Sequence, residues 1–386
     1  MSTEKTFTIA TDELNRLARW TGKLTRSADA ALVVVEVADS KIAMSSFDGV
    51  SMAKAQADVV HQFTTKEKFS LNGALLMSVA KGIKDKTVTC IISDGTLIIK
   101  TPKMKFSIPT TGEGIRRALP ELPPVLGRVD SHEFKAMIQH ASSATSDDPT
   151  TLALTVVNIK VSPENQTLTL AGTDRYKFIV RTMSYKAAAG TEQIGDFELN
   201  IDAKNLKNLM SDVDESGDLT LYATLPTNSD DADKSAVGLF GVATSSQIGT
   251  LLLRDVQYVN YGGLMKHKNS TYKVVIKRGD LNAAVNTTKP LIKEAVKKGT
   301  LKLSADGFIL STPIADIDIE TVSSNMDKEM EVFVNLDFIT PILAAGKSEY
   351  IRLGFNMANT PIVIEEMVDE NTSEDAFFSL VMVMTR

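Results

Sequence analysis

Two kinds of strand–cap–helix segment each recur three times along the chain, and this interleaved repetition limits the fold more than any other feature. The first set is Phe7–Leu24, Arg128–Ala144 and Tyr272–Ile292; the second is Phe69–Ala80, Phe197–Met210 and Phe333–Leu343. In each, alternating apolar residues predict a short strand. A capping or acidic residue follows, and then apolar residues at helical spacing. Thr11 and Ser131 are natural N-caps. Aligned on Glu13, Glu133 and Asp280, the first set is offset by 120 and 147 residues; aligned on Asn72, Asp202 and Asn335, the second is offset by 130 and 133. Any α/β chain alternates strand and helix. Two interleaved sets at near-constant offset instead favour three units of about 120–140 residues with two helices apiece.

The connectors agree with such units. Leu119–Gly127 holds Pro123 and Pro124, which oppose both helix and sheet, and Gly262–Ser270 is a polar, glycine-led stretch. The expected domains are therefore 1–125, 126–265 and 266–386. Thr227–Lys234 is acidic and free of apolar side chains, as a solvated hairpin loop would be.

The apolar share of 43% supports real cores, and a net charge of −6 argues against a surface coated with positive charge. Cys90, the single cysteine, lies in an alternating apolar run and reads as a buried strand residue. His61, His132, His140 and His267 have no Cys or His at ligand spacing, so neither metal nor cofactor is expected. Met1–Phe7 lacks the apolar stretch of a signal peptide and runs such as Ala30–Val35 are too short to span a membrane, which points to the cytoplasm. No nucleophile elbow, zinc-protease motif or Cys-x-x-Cys is present. Gly346-Lys347-Ser348 ends like a phosphate-binding loop, but Pro341 stands where its first glycine would be, and the segment ends a helix. It reads as a glycine C-cap, and nothing nominates an enzyme.

Basic residues recur on the helical segments. Arg16, Arg19 and Lys23 share one helical face, as do Lys289, Lys293 and Lys297 at i, i+4, i+8; Arg26, Lys81, Lys204 and Lys207 add to the set. Any solvated helix presents such a face. Its recurrence across the repeats favours a surface for DNA phosphates, which would be salt-sensitive and indifferent to sequence.

Several motifs then resemble one family. Leu168–Val180 (LTLAGTDRYKFIV) is similar to a strand and T-D-G-H-R-L-A turn of the bacterial DNA polymerase III beta subunits, the sliding clamps. Asn335 and Phe338 fit the family's N-x-x-Y/F-L/I pattern, Thr360–Ile364 its P-V/I-x-I strand, and Leu380–Arg386 its terminal V-V-M-P-M-R-L. The resemblance spans the chain, in order. It implies an α+β fold of three repeated clamp domains, each with two helices packed on antiparallel sheets, closing head to tail as a dimeric ring. It implies a processivity factor without catalysis, encircling duplex DNA and tethering the polymerase alpha subunit, the clamp loader and other proteins with clamp-binding motifs.

By the same resemblance, partner peptides enter a pocket formed by Leu154, Thr173, Arg175, Tyr176, Lys177 and Phe178. Val259, Gly263 and Leu264 join from the linker, and Asn335, Phe338, Thr360, Leu380, Met382, Val383 and Met384 from the last domain. A methionine-rich tail is also an ordinary core strand, so on its own it decides nothing. The family pattern is broken at Arg175, Tyr176, Val259, Gly263 and Val383, which implies a narrower or differently charged pocket. The dimer seam is expected between an edge strand at Lys103–Pro109, with Phe106 and Ile108, and a helix at Leu281–Leu291, with Val285 and Leu291. Pro290 replaces an apolar residue of the family there.

Overall fold

The computed structural model describes residues 4–24, 32–61, 63–111, 119–213, 217–225, 238–372 and 377–384. Arg26 and the Thr227–Lys234 loop lie outside them.

Six α-helices occur among the described residues: α1 (Thr11–Leu24), α2 (Gly73–Gly82), α3 (Ser131–Ala144), α4 (Ala203–Ser211), α5 (Arg278–Thr288) and α6 (Leu336–Ala345). Each begins at the residue after a strand ends. Local chemistry sets two of these junctions. The side-chain Oδ1 of Asn72 accepts from Leu75 N at 2.9 Å, and that of Asn335 from Asp337 N at 3.0 Å, while both backbones stay extended. An asparagine cap satisfies an amide that the first helical turn leaves open.

The chain separates into two compact units. One comprises Met1–His132, Lys186–Glu192 and Asn205–Leu253; the other Glu133–Tyr185, Gln193–Lys204 and Arg254–Arg386. The first carries a fourteen-stranded antiparallel sheet. Inside it, Gln247–Leu252 pairs with Ser51–Asp58, from Gln247 opposite Ala55 to Leu251 opposite Ser51. Trp20 of α1 is fully buried over this join, and its Nε1 donates to the carbonyls of Lys54 and Ile248, one on each strand, at 3.1 Å. Gly249 lies beneath it, where a Cβ would come within 2.3 Å of Leu209 Cδ1 and 3.0 Å of the Trp20 ring.

The second unit holds a nine-stranded and a four-stranded sheet. Within the larger sheet, Lys177–Ser184 pairs with Phe377–Val381. A core of Leu281, Val285, Leu301, Phe308, Leu336, Ile339 and Leu353 fills the space under α5 and α6. α3 lies so close to Thr167–Thr173 that a Cβ on Gly172 would come within 2.0 Å of the Ala141 carbonyl oxygen.

Two expectations need correction. The basic face Lys289–Lys293–Lys297 is not helical: α5 stops at Thr288, one 3-10 turn covers Lys289–Leu291, and the rest is irregular. Pro290 accounts for this, because its ring and missing N–H oppose continuation of the helix. Gly346 caps α6 with φ −61°, not in the left-handed conformation of a C′ glycine. It is needed for close approach, since a Cβ would sit 2.6 Å from Glu366 Oε1 and 2.9 Å from Arg278 Cδ. The expected edge is present over Lys105–Pro109, within Lys103–Pro109. Lys105–Thr111 pairs with Thr96–Lys100, and on its other side Thr110 and Thr111 pair with Leu71 and Ser70. Only the stretch before Thr110 lacks a second neighbour among the described residues.

Candidate functional site

A cavity of about 230 Å³ lies wholly within the second unit. It is built around the turn between strands Thr167–Thr173 and Lys177–Ser184. Asp174 organises that turn: its Oδ1 accepts from the amides of Tyr176 at 2.9 Å and Lys177 at 2.8 Å. Thr173 Oγ1 donates to Lys177 O at 2.8 Å and accepts from Arg175 N at 3.2 Å. Together these hold Arg175 at φ +82°, a left-handed conformation that side chains with a Cβ adopt rarely.

Ten of the expected pocket residues line this cavity. Leu154 comes from a 3-10 turn, Thr173, Arg175, Tyr176, Lys177 and Phe178 from the turn and its strand, Val259 and Leu264 from the linker, and Leu380 and Met382 from the tail. Phe178 and Leu380 are buried in one small core with Tyr258 and Phe378. Met382 N donates to Tyr176 O at 2.8 Å, which ties the tail to the turn. Asn260 and Tyr261 also line the cavity and were not foreseen. The signal was a pair of tyrosines, Tyr258 and Tyr261, in the connector that leads to Gly262 and Gly263. The Tyr261 ring centroid lies 5.1 Å from that of Phe178, and burial, with the Glu198 charge, raises its hydroxyl pKa.

The other six expected residues lie around the cavity or elsewhere. Phe338 is not a lining residue but stacks on Tyr176, with centroids 4.9 Å apart and planes at 14°. Gly263 precedes the turn that supplies Leu264. Asn335 is occupied as the cap of α6, and the Thr360 hydroxyl closes its own turn onto Met357 O at 2.8 Å. Val383 packs on the larger core, and Met384 N donates to Phe333 O at 2.8 Å.

The basic candidates divide by partner. Arg16 spends its guanidinium on Glu13, Ser246 Oγ and the Gln56 carbonyl. Arg19 and Lys23 both pair with Asp212, a largely buried carboxylate that the helical spacing could not reveal. Lys289 pairs with Asp337 at 3.2 Å, and Lys297 donates to the Glu294 carbonyl at 2.9 Å. Lys81, Lys204, Lys207 and Lys293 are exposed and make no ion pair among the described residues. Of the four expected seam residues, Leu291 is 60% exposed and Phe106 half-buried. Ile108 and Val285 face inward: Ile108 is buried, and Val285 belongs to the core beneath α5, so neither offers its side chain to a partner.

Among the described residues, no three His, Cys, Asp or Glu side chains gather as a metal site, and no helix is long and apolar enough to cross a membrane. Burial pushes the Cys90 thiol up to about 12, which keeps it protonated and unreactive.

No family model matches the chain. A protein of Streptomyces coelicolor named beta sliding clamp is 23% identical over 368 residues, 92% of this chain and 91% of the relative. One of the same name from Micrococcus luteus is 24% identical over 272 residues, 70% of this chain and 80% of the relative. The crystal structure of a DNA polymerase sliding clamp from Pseudomonas aeruginosa superposes with a TM-score of 0.81 at 15% identity, covering 99% of this chain and all of that one. The chain is thus related in sequence to the beta sliding clamps and carries their fold from end to end.

Proposed function

We propose that the chain is a DNA sliding clamp: a non-catalytic processivity factor of which two copies close head to tail around duplex DNA. The observation that carries this is relationship at full length. Sequence similarity to a named clamp spans 92% of the chain, and the clamp fold spans 99%. On this reading the domains are 1–125, 126–265 and 266–386. The free stretch of Lys105–Pro109, with Phe106, would meet the surface around Leu291 of a second copy. Exposed Lys81, Lys204, Lys207 and Lys293, with the paired Arg19 and Lys23, would attract phosphates without reading bases.

The cavity around Phe178 and Met382 would receive peptides from the polymerase alpha subunit, the clamp loader and other partners. Apolar walls supply contact area, and an adaptable methionine suits several ligands. A cytoplasmic setting follows from that role.

Two measurements test the reading. Sedimentation equilibrium at micromolar concentration should give twice the chain mass of 41.9 kDa. Loaded protein should stay on closed circular DNA and leave it once the DNA is cut. A monomer throughout, or equal retention on circles and linear fragments, would rule out a threaded ring.

A further inference from the structure

Two residues lining the cavity, Arg175 and Lys177, carry charge. Lys177 is neutralised by Asp174, and both side chains are largely covered. Arg175 differs. It is exposed, and its guanidinium forms no ion pair or hydrogen bond with the described residues. The acidic side chain that feels its charge, Asp148, already accepts from the amide and hydroxyl of Thr150.

The backbone makes this placement costly. Arg175 is at φ +82°, where glycine would be relaxed, and the turn is held there by Asp174 and Thr173. The turn therefore holds the Arg175 backbone at the rim of a slot walled by Leu154, Phe178, Leu380 and Met382, and leaves the guanidinium donors unspent. Five N–H groups in a planar fork match a carboxylate better than any neutral acceptor.

We propose that Arg175 determines which peptides the cavity takes: segments whose apolar side chains enter the slot and which carry an aspartate or glutamate aligned with the rim. This rests on the cavity being a partner-peptide site. It adds a charge requirement that an apolar slot alone would not impose. An exposed pair of this kind should favour the carboxylate over its amide by about fivefold at low salt, and by less as salt rises.

The test is selection of a random octapeptide library on the full-length chain, on Arg175→Gly and on Arg175→Gln. Glycine relaxes the backbone and glutamine keeps the Cβ, so thermal melts of the two variants separate loss of charge from loss of fold. The intact chain should enrich apolar peptides with an acidic residue at a fixed position, and both variants should lose that preference. Synthetic copies with the acid changed to its amide should bind the intact chain about fivefold more weakly and the variants equally well. Apolar peptides recovered without acid preference, or a preference that survives Arg175→Gln, would overturn the role of Arg175 while leaving the pocket intact. Recovery of no apolar peptides would overturn the pocket reading, and this inference with it.

Discussion

Lowering the pH should loosen the second unit through one side chain, His140. It is 1% exposed and packs edge-on against Phe377, ring centroids 5.5 Å apart. Its Nδ1 lies 3.2 Å from Arg181 Nη1, and its Nε2 contacts the Ala345 carbonyl at the end of α6. A guanidinium can only donate, so Nδ1 accepts and the neutral ring carries its proton on Nε2, facing the helix carbonyl. Burial, then the charges of Arg181, Lys347 and Arg278, lower the pKa from 6.5 to about 4. The unfolded chain therefore takes up a proton near pH 6.5 that the folded chain refuses until about pH 4. Stability from this group is complete above pH 6.5, falls as the pH drops through that window, and falls no further below it. The full loss is ~3 kcal/mol, of which ~2 kcal/mol is gone by pH 5.

His140→Gln isolates this effect, because glutamine can donate to Ala345 O and accept from Arg181 but does not titrate. Urea unfolding at pH 7.5 and 5.0, followed by pulsed hydrogen exchange of peptides from 336–345 and 377–381, gives the two stabilities. The intact chain should lose ~2 kcal/mol more than the variant between those pH values. Parallel losses would mean that His140 is protonated in the folded state without cost, and the account of its burial would be wrong.

Asp212→Asn should release Arg19 and Lys23 for phosphate. Association with duplex DNA should tighten, and the slope of log affinity against log salt should steepen by up to about 2; an unchanged slope would mean these side chains do not reach DNA. Gly172→Ala should destabilise the second unit by about 3 kcal/mol or more, because the added carbon meets a backbone carbonyl that has little room to yield. A thermal melt within a degree of the parent would contradict the packing described between α3 and the sheet.

Local order was well marked in the sequence because it depends on neighbours. The starts of α2 and α6 follow from Asn72 and Asn335, whose capping needs only two or three residues. The turn at Asp174 and ten of the pocket positions came from motif likeness, which encodes long-range geometry that periodicity lacks. The apolar and basic spacing continues past Thr288, but the ring and missing amide of Pro290 end α5 there, so periodicity alone overstates its length. Ile108 and Val285 fit a seam by position but point inward, because the direction of a strand or helix residue follows from the core it packs on. Asp212 could not be found from α1, because its pairing with Arg19 spans 193 residues and leaves no periodic trace.

The position of Trp20 has a practical consequence. It is the single tryptophan of the chain, and its indole N–H is shared between the carbonyls of Lys54 and Ile248 where two strands meet. The protein therefore carries its own optical gauge at that join. Parting of Ser51–Asp58 from Gln247–Leu252 would admit water to the indole and shift its emission to the red, so a separation that leaves secondary structure intact can be followed without attaching a dye.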